Sequence, residues 1–457
     1  MSADIDLIRR AGDLAIRYVS DVDGSAVGPN TEALAALRRF DEPLPRSGHL
    51  AGETLELLNE VFGPATMAQT GPNYFGFVNG ATYPVALGAS FLVNSWDQNA
   101  ALPVMSPASA AINDVASRWL VELLRLPVGT DVAFVTGATV ANASCIAAAR
   151  DALLAARGWD VQRDGLFGAP PIHVVLGAHA HSTLRKSLGL VGLGRERVTV
   201  VPADDQGRIR VSDLPAIQNF DGPVLLCAQA GEVNTGAFDP FDALADWLEP
   251  HADTWLHVDG AFGLWALGDP SRTALVDGLD RADSWATDAH KWLNVTYDCG
   301  IAFVHSPGAL RRTFSAVAGY LPPDSGFEAM HHTPQSSQRA RQVEVWAVLR
   351  TLGRDGVAEM VQQASACAAA IADRLQDAGI EVLNDVVLNQ VLVRHRDGPT
   401  TGRLIEAIQA DGRVWCGPTQ WHGEIAMRIS VSSWKTTVEH ADRAADVIIE
   451  CARRVAD

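Results

Sequence analysis

The sequence of 457 residues has no uninterrupted apolar run of about 18 residues, the length that a membrane-spanning helix needs. Its beginning, Met1-Ser-Ala-Asp-Ile-Asp6, also lacks the basic start and the apolar stretch of a secretory signal peptide. We therefore expect a cytoplasmic protein that has no membrane partner.

Basic residues are scarce as well. The chain has 36 lysines and arginines against 54 aspartates and glutamates, which gives a formal net charge of −18. A surface of this sign repels polyanions, so we expect no nucleic-acid partner and favour a small-molecule substrate. There are only six cysteines, and none of them forms a C-x-x-C pair. This spacing argues against zinc or a disulfide framework, and it predicts reduced core cysteines and no metal site.

The central part of the chain alternates apolar helical runs with short β-branched runs. Helical spacing is present at 3–21, near 52–62, and at 139–157, 182–191 and 240–249. The seven strand candidates are 132–136, 172–176, 198–201, 224–228, 254–258, 284–287 and 301–304. Because continuous apolar strands between helices are typical of parallel sheets, we predict an α/β fold with a mostly parallel seven-stranded sheet between helices.

The pattern changes after about residue 335. Helices are predicted at 337–353, 356–378, 401–411 and 437–454, with strands near 387–394 and 425–432. We expect three parts: an N-terminal helical segment over 1–70, a large α/β domain over 71–335 and a smaller α+β domain over 336–457.

The run Thr287-Asp-Ala-His-Lys-Trp292 follows a predicted strand, and it places Lys291 directly after a histidine. Many enzymes bind pyridoxal phosphate as a Schiff base on such a lysine. Asp259, in His257-Val-Asp-Gly-Ala261, lies 32 residues before Lys291. A buried carboxylate needs a cationic partner, and a protonated pyridine nitrogen would serve, with Ala261 leaving room for the ring. Alternatively, Asp259 only caps the next turn.

Other residues could complete such a cofactor site. Gly137, Ala138 and Thr139 connect a strand to a helix, so their backbone N–H groups could face a phosphate, although Thr139 could simply cap the helix. His181 follows a strand end and could stack on the ring, or it could cap a helix, and His179 is the competing choice.

Two more side chains are candidates for the same cofactor. His290 could reach the phosphate. Asn234, in Gly231-Glu-Val-Asn-Thr-Gly236, could donate a hydrogen bond to the phenolic oxygen, or it could be an ordinary turn residue.

The order of these elements resembles that of fold-type I pyridoxal phosphate enzymes, and the local motifs resemble the group II amino-acid decarboxylase family. Ala180-His-Ser182, His257–Ala261 and His290-Lys-Trp292 are similar to the family's A-H-S, H-V-D-A-A and H-K-W motifs. Further similar segments are Asn73-Tyr-Phe-Gly-Phe77, 94–99, Arg339-Ala-Arg-Gln-Val-Glu-Val-Trp346 and Met427-Arg-Ile-Ser-Val431. The resemblance extends from about residue 45 to about residue 450.

The resemblance implies pyridoxal 5′-phosphate as cofactor and a homodimer whose active sites lie at the subunit interface. It also implies that Tyr74 and Phe77 line the substrate entrance and that Arg428 binds the substrate carboxylate. Core aromatics and a structural ion pair are the alternative interpretations of these three residues.

The chain departs from the family in three places. Gly260-Ala-Phe262 replaces A-A-Y, and the turn that carries Asn234 is more similar to the N-E-x-G element of class V aminotransferases. The family's aromatic amino-acid decarboxylases use a loop tyrosine to protonate the substrate α-carbon. Here Tyr320 lies early in that region, so we hypothesise that His331 or His332 is the general acid; incidental loop histidines are the alternative.

The resulting prediction is decarboxylation of an L-amino acid, with an apolar or aromatic side chain, to the amine and carbon dioxide. Another reaction at the substrate α-carbon is the alternative: aldehyde-forming decarboxylation, aldol-type cleavage or aminotransfer. A non-catalytic binding protein that retains the fold is the alternative of a different class.

Overall fold

The structure, a computed structural model, describes residues 3–316 and 327–455. The helices are α1 (Ala3–Asp21), α2 (Thr31–Ala36), α3 (Ala51–Leu57), α4 (Pro84–Trp96), α5 (Pro107–Leu123), α6 (Ala138–Ala156), α7 (Val161–Asp164), α8 (Ser182–Leu190), α9 (Phe241–Leu248), α10 (Ala309–Phe314), α11 (Gln342–Asp377), α12 (Gly398–Asp411) and α13 (Val438–Val455). The strands are β1 (Asp131–Val135), β2 (His173–Gly177), β3 (Val198–Val201), β4 (Val224–Gln229), β5 (Thr254–Asp259), β6 (Ser284–Asp288), β7 (Gly300–Val304), β8 (Glu381–Val382), β9 (Gln390–Arg394), β10 (Gly417–Trp421) and β11 (Glu424–Ser430).

Seven strands form the central sheet in the order β1-β7-β6-β5-β4-β2-β3. Strands β2 to β6 pair in parallel, whereas β7 runs antiparallel to both β1 and β6. Every residue of β4 is buried, as expected for a parallel strand that is covered on both faces. The predicted α/β fold with a mostly parallel seven-stranded sheet is confirmed.

Alternate side chains of the strands pack into two separate cores. Val132 and Phe134 of β1 join the larger core, which includes residues of α5, α9 and α11 and continues into the C-terminal part of the chain. Ala133 and Val135 point the other way and pack with α6, α8 and α10. Because helices cover both faces of the sheet, a ligand is expected at the carboxyl ends of the parallel strands.

The C-terminal part contains a four-stranded antiparallel sheet in the order β10-β11-β9-β8. The two helices predicted at 337–353 and 356–378 are one element, α11, which begins at Gln342 and is interrupted at Gly353, where φ is 63°. Strands β8 and β10 were not predicted, since β8 has only two residues and β10 begins Gly-Pro. The division into three domains stays a prediction.

The N-terminal helix α1 has the predicted bounds, and the helix predicted near 52–62 is α3 followed by a π-helical turn over Leu58–Phe62. All six cysteines are buried and free, as expected. Within 3–316 and 327–455, no helix combines the length and the apolar character that a membrane crossing requires.

Candidate active site

Acidic and polar side chains stand at the ends of neighbouring parallel strands. Gln229, Asp259 and Asp288 are the last residues of β4, β5 and β6, and Gln229 lies opposite Asp259 in the strand register. The turn after β6 carries Lys291, and the connection from β2 to α8 carries His181. The sheet therefore brings His181, Asp259 and Lys291 to one edge, as predicted.

Asp259 is buried, with 4% of its surface exposed. Its Oδ1 accepts a hydrogen bond from the Ala261 N–H at 3.2 Å. Burial raises the pKa of this carboxyl group, and the nearby charges of His181 and Lys291 act in the opposite direction. A cation at this carboxylate would therefore be stabilised strongly, which suits a protonated pyridine nitrogen.

The Lys291 ammonium lies 3.1 Å from Oδ2 of Asp288. Its turn is fixed on both sides, because Trp292 is fully buried and the Trp265 indole N–H donates to the Asp288 carbonyl oxygen at 3.1 Å. The lysine side chain is itself 21% exposed, so it is accessible while its backbone is held in place. This is what a covalent attachment point for an aldehyde cofactor requires.

His181 caps a helix, the alternative considered for it from the sequence, and its stacking on the cofactor ring stays a prediction. Its Nδ1 accepts from the Thr183 N–H at 3.3 Å and lies 2.7 Å from the Thr183 hydroxyl, so the imidazole caps α8. Burial lowers the pKa of the ring, and the charges of Asp259 and Lys291 both act on it. His181 is therefore a fixed, largely neutral ring beside the acid and the lysine. The competing His179 instead packs against Trp421, with 4.8 Å between ring centroids.

Gly137, Ala138 and Thr139 form the start of α6, as predicted for a phosphate site. A β-carbon built on Gly137 would lie 3.4 Å from the His290 Cε1 atom, which places the turn beside the histidine. Nδ1 of His290 accepts from the Cys299 N–H at 3.1 Å, which leaves the ring proton on Nε2, and Nε2 is 3.5 Å from Oδ1 of Asp288. Burial lowers the pKa of His290. A backbone N–H at a helix start and an imidazole N–H thus converge on one point.

Asn234 is placed differently from the functional prediction. Its Nδ2 donates to Glu232 at 3.0 Å, and its Oδ1 accepts from the Thr419 hydroxyl at 2.7 Å. Since both ends of the amide are occupied within the protein, the turn interpretation is favoured over a contact with a cofactor.

Two of the residues predicted for the substrate side, Tyr74 and Phe77, contact Trp415, which sequence reasoning did not identify. Tyr74 stacks on Trp415 with 5.1 Å between ring centroids, and Phe77 lies 5.4 Å from the same ring. Tyr74 is buried, whereas Phe77 is 59% exposed. Arg428 donates through Nη1 to the Val233 carbonyl at 3.3 Å, and burial lowers its pKa. Its charge also acts on His181, so it belongs to the same region.

His331 and His332 are not brought to Lys291 by the contacts described within this chain. Both are buried. His331 lies with Nε2 3.2 Å from Glu328, and its Nδ1 accepts from the Ala316 N–H at 3.3 Å. His332 stacks on Phe327 at 4.4 Å. They are not incidental surface histidines, and their role as general acid stays a prediction. Tyr320 lies outside the described residues.

Two further site residues could have been found from their positions at strand ends. Gln229 accepts from the His181 N–H at 3.1 Å and donates to the His179 carbonyl at 3.0 Å, so it fixes the loop that carries His181. Asp288 contacts Lys291 and the start of α6. A polar residue that ends an apolar strand was the available signal.

These groups fit pyridoxal phosphate: a buried acid for the ring nitrogen, a lysine for the aldehyde, a fixed imidazole, and a helix start for the phosphate. Fold and site together define a fold-type I pyridoxal phosphate enzyme. The family profile described as "Pyridoxal-dependent decarboxylase conserved domain" matches residues 38–396, and the chain belongs to this family. It is a pyridoxal 5′-phosphate-dependent carboxy-lyase of amino acids.

The relatives agree with this assignment. An aromatic-L-amino-acid decarboxylase of Bacillus atrophaeus is 26% identical over 355 residues, covering 75% of this chain and 71% of that protein. Tyrosine decarboxylase 4 of Petroselinum crispum is 23% identical over 478 residues, covering 98% and 94%. Among solved structures, that of Oryza sativa TDC with PLP and tryptamine is 22% identical, with a TM-score of 0.92 over 100% of this chain and 99% of the other.

Proposed function

We propose that this enzyme converts an L-amino acid with an apolar or aromatic side chain to its amine and carbon dioxide, and that Lys291 is the lysine that holds the cofactor. The observation that carries the proposal is the meeting of His181, Asp259 and Lys291 at one edge of the sheet. An acid and a lysine that approach one imidazole supply the contacts a pyridoxal ring needs.

Each of these residues has a distinct task. When bound, pyridoxal phosphate supplies a ring that accepts the electrons left at the substrate α-carbon as carbon dioxide departs. Asp259 would hold the proton at the ring nitrogen, since its buried carboxylate is stabilised by a cation there. His181 would orient the ring, because Thr183 and Gln229 fix the imidazole and its backbone. Ala138, Thr139 and His290 would hold the phosphate.

The substrate preference rests on the aromatic cluster of Tyr74, Phe77 and Trp415. The segment that carries the first two also contains Gly80, which packs against the Lys291 backbone, so this segment contacts the turn that carries Lys291. Aromatic walls favour apolar and aromatic side chains by burial and by stacking. The two relatives described above, an aromatic-L-amino-acid decarboxylase and a tyrosine decarboxylase, agree with this preference.

Arg428 would bind the substrate carboxylate or orient it. Among its described contacts, the guanidinium uses Nη1 for the Val233 carbonyl, which leaves further donors for a planar carboxylate. The nearby buried Glu232 supports its charge.

The homodimer is part of the same proposal. On α4, Leu92 and Trp96 are 52% and 56% exposed, and they border a cavity of about 750 Å³ that Ile112 and Trp346 also line. Ile8 of α1 is 66% exposed. A second copy of this chain would cover these surfaces. We expect Leu92→Glu to give monomers in sedimentation analysis, whereas Phe167→Glu, a matched change at an isolated exposed aromatic, leaves the dimer intact.

The proton returned to the substrate α-carbon would come from His331 or His332. Since neither contacts the Lys291 region in the described part of the chain, 3–316 and 327–455, the donor would act on the partner's site in the dimer. Replacing both by glutamine should abolish amine formation while cofactor binding persists. Unchanged turnover would remove both histidines from the mechanism.

The test of the function is carbon dioxide release from a panel of L-amino acids by cofactor-saturated protein, with the products identified by mass spectrometry. We expect release from apolar or aromatic substrates with the matching amine, and none from Lys291→Ala. Aldehyde with hydrogen peroxide would instead show oxidative decarboxylation. Failure of every substrate, in protein that visibly binds the cofactor, would contradict the proposal.

A further inference from the structure

The carboxylate of Asp288 occupies the position expected for the cofactor's phosphate contacts. Oδ1 accepts the Ala138 N–H at 2.5 Å and lies 3.5 Å from Nε2 of His290. Oδ2 lies 3.1 Å from the Lys291 ammonium, and the Asp288 side chain is only 5% exposed. A negative group therefore already receives the donors that a phosphate would use.

The charges around Asp288 leave little compensation for a second anion. The groups that face it are Lys291 and His290 from the turn after β6, Asp259 from β5, His181 from the start of α8, and Tyr297 and Cys299 before β7. Burial lowers the pKa of both histidines, so they are mostly neutral at pH 7. Lys291 is the cation opposite Asp288, and its single charge is already balanced by that carboxylate.

A phosphate dianion at the start of α6 would thus lie against a buried carboxylate. Two anions that share a site in a dry environment hold one proton between them, as in pairs of carboxylates.

We infer that Asp288 shares a proton with the cofactor's phosphate, so that cofactor binding takes up one proton from solvent and Asp288 sets the pH dependence of cofactor affinity. This inference rests on the proposed function, since it uses the phosphate position at Gly137, Ala138 and Thr139. Asp288 is a positioning and affinity-determining residue in this view, and it forms no bond with the substrate.

The test uses pyridoxine 5′-phosphate, which has no aldehyde and so does not react with Lys291. Titration calorimetry in buffers of different ionisation enthalpy gives the number of protons taken up. We expect wild-type protein to take up one proton more than Asp288→Asn. The variant should bind at least tenfold more tightly at pH 8, and the ratio of the two dissociation constants should rise about tenfold per pH unit, as one linked proton requires.

Asp283→Asn is the matched control, because Asp283 is a half-buried carboxyl group beside β6 that stands at the opposite end of the strand, where it accepts from the Leu256 N–H at 2.7 Å. It should keep the wild-type proton uptake and affinity. Asp288→Ala removes the charge without adding a donor, and it should also lose the extra proton. Thermal melting of all three variants checks that the fold is kept.

Equal proton uptake and equal affinity in wild type and Asp288→Asn would overturn the inference, and so would weaker binding by the variant. If the wild type releases carbon dioxide from amino acids, such a result affects the role of Asp288 alone. If the wild type neither binds pyridoxine 5′-phosphate nor releases carbon dioxide, the proposed function fails together with this inference.

Discussion

The backbone of Gly80 lies against the carbonyl group of Lys291: a β-carbon built on Gly80 would be 1.8 Å from that oxygen. The same β-carbon would be 3.0 Å from the His290 carbonyl oxygen. These are backbone atoms, so no side chain can move aside. The contact couples the segment that carries Tyr74 and Phe77 to the turn that carries Lys291.

We therefore expect Gly80→Ala to displace Lys291 and to weaken cofactor binding at least tenfold, with a loss of stability of about 1–3 kcal/mol from overpacking. Absorbance titration with pyridoxal phosphate and urea unfolding measure the two effects. Gly402→Ala in α12 is the control, because its β-carbon would meet only Ile425 Cδ1 at 3.8 Å. Normal cofactor affinity in Gly80→Ala would show that the turn is not held by this contact.

The sequence was sufficient for those parts of the site that depend on strand ends. Buried parallel strands are continuous apolar runs, so the ends of β5 and β6 could be located, and with them Asp259 and Lys291. The same reasoning placed His181 after β2. These positions follow from topology alone.

Contacts between distant parts of the chain could not be predicted in this way. Asn234 accepts a hydrogen bond from Thr419, a residue of the C-terminal sheet. The two residues are far apart in the sequence, so residue spacing could not predict this contact. Trp415 likewise reaches Tyr74 from the C-terminal part. Asp288 belongs to the motif around Lys291, but the sequence does not show that its carboxylate accepts the N–H of Ala138. That contact depends on how β1 and β6 are placed in the sheet.

Gln229 offers a test of how the His181 loop is positioned. Replacement by methionine keeps the length of the side chain but leaves the His181 N–H and the His179 carbonyl without their present partner. We expect about tenfold faster cofactor dissociation, measured after dilution, because an unpaired buried polar group costs about 1–3 kcal/mol and the loop would shift to satisfy it.

A purely structural role for Gln229 would lower the melting temperature without changing cofactor dissociation. Gln229→Glu separates the two hydrogen bonds: it can still accept from the His181 N–H but cannot donate to the His179 carbonyl when ionised. We expect its dissociation rate to lie between those of wild type and the methionine variant.

Trp415→Leu tests the aromatic wall of the substrate site. Loss of the stacked ring should raise KM for aromatic amino acids up to about tenfold, with little change in kcat, because an aromatic pair contributes about 0.5–1.5 kcal/mol beyond burial. Small apolar substrates should be affected less. Trp119→Leu is the control, since Trp119 forms a stacked pair with Trp346, at 6.4 Å, elsewhere in the chain. An equal rise in KM for all substrates would contradict the idea that Trp415 selects the side chain of the substrate.

His257 makes the stability of the fold depend on pH. It is fully buried between Asn142 and Ser284, with ring nitrogens 2.8 Å and 2.9 Å from their oxygens, and burial lowers its pKa from the ordinary value of 6.5 to about 3. Between these values the unfolded chain binds a proton that the folded chain does not. The stabilisation is thus complete above pH 6.5 and is lost as pH falls toward 3.

Urea unfolding between pH 6 and pH 4 gives the free energy of unfolding at each pH. The slope of this free energy against pH should differ between wild type and His257→Gln. Relative to His257→Gln, the wild-type free energy of unfolding should fall by about 1.4 kcal/mol more for each pH unit of acidification. Burial raises the pKa of Asp239 to about 7, so acidification through this group stabilises the folded protein instead of destabilising it. Asp239 is present in both proteins, and its effect therefore cancels in the difference. His49→Gln changes an exposed histidine and should leave the slope as it is. Identical slopes for wild type and His257→Gln would mean that His257 is protonated in the folded protein, and the hydrogen bond to Asn142 would then have to be kept by the charged ring.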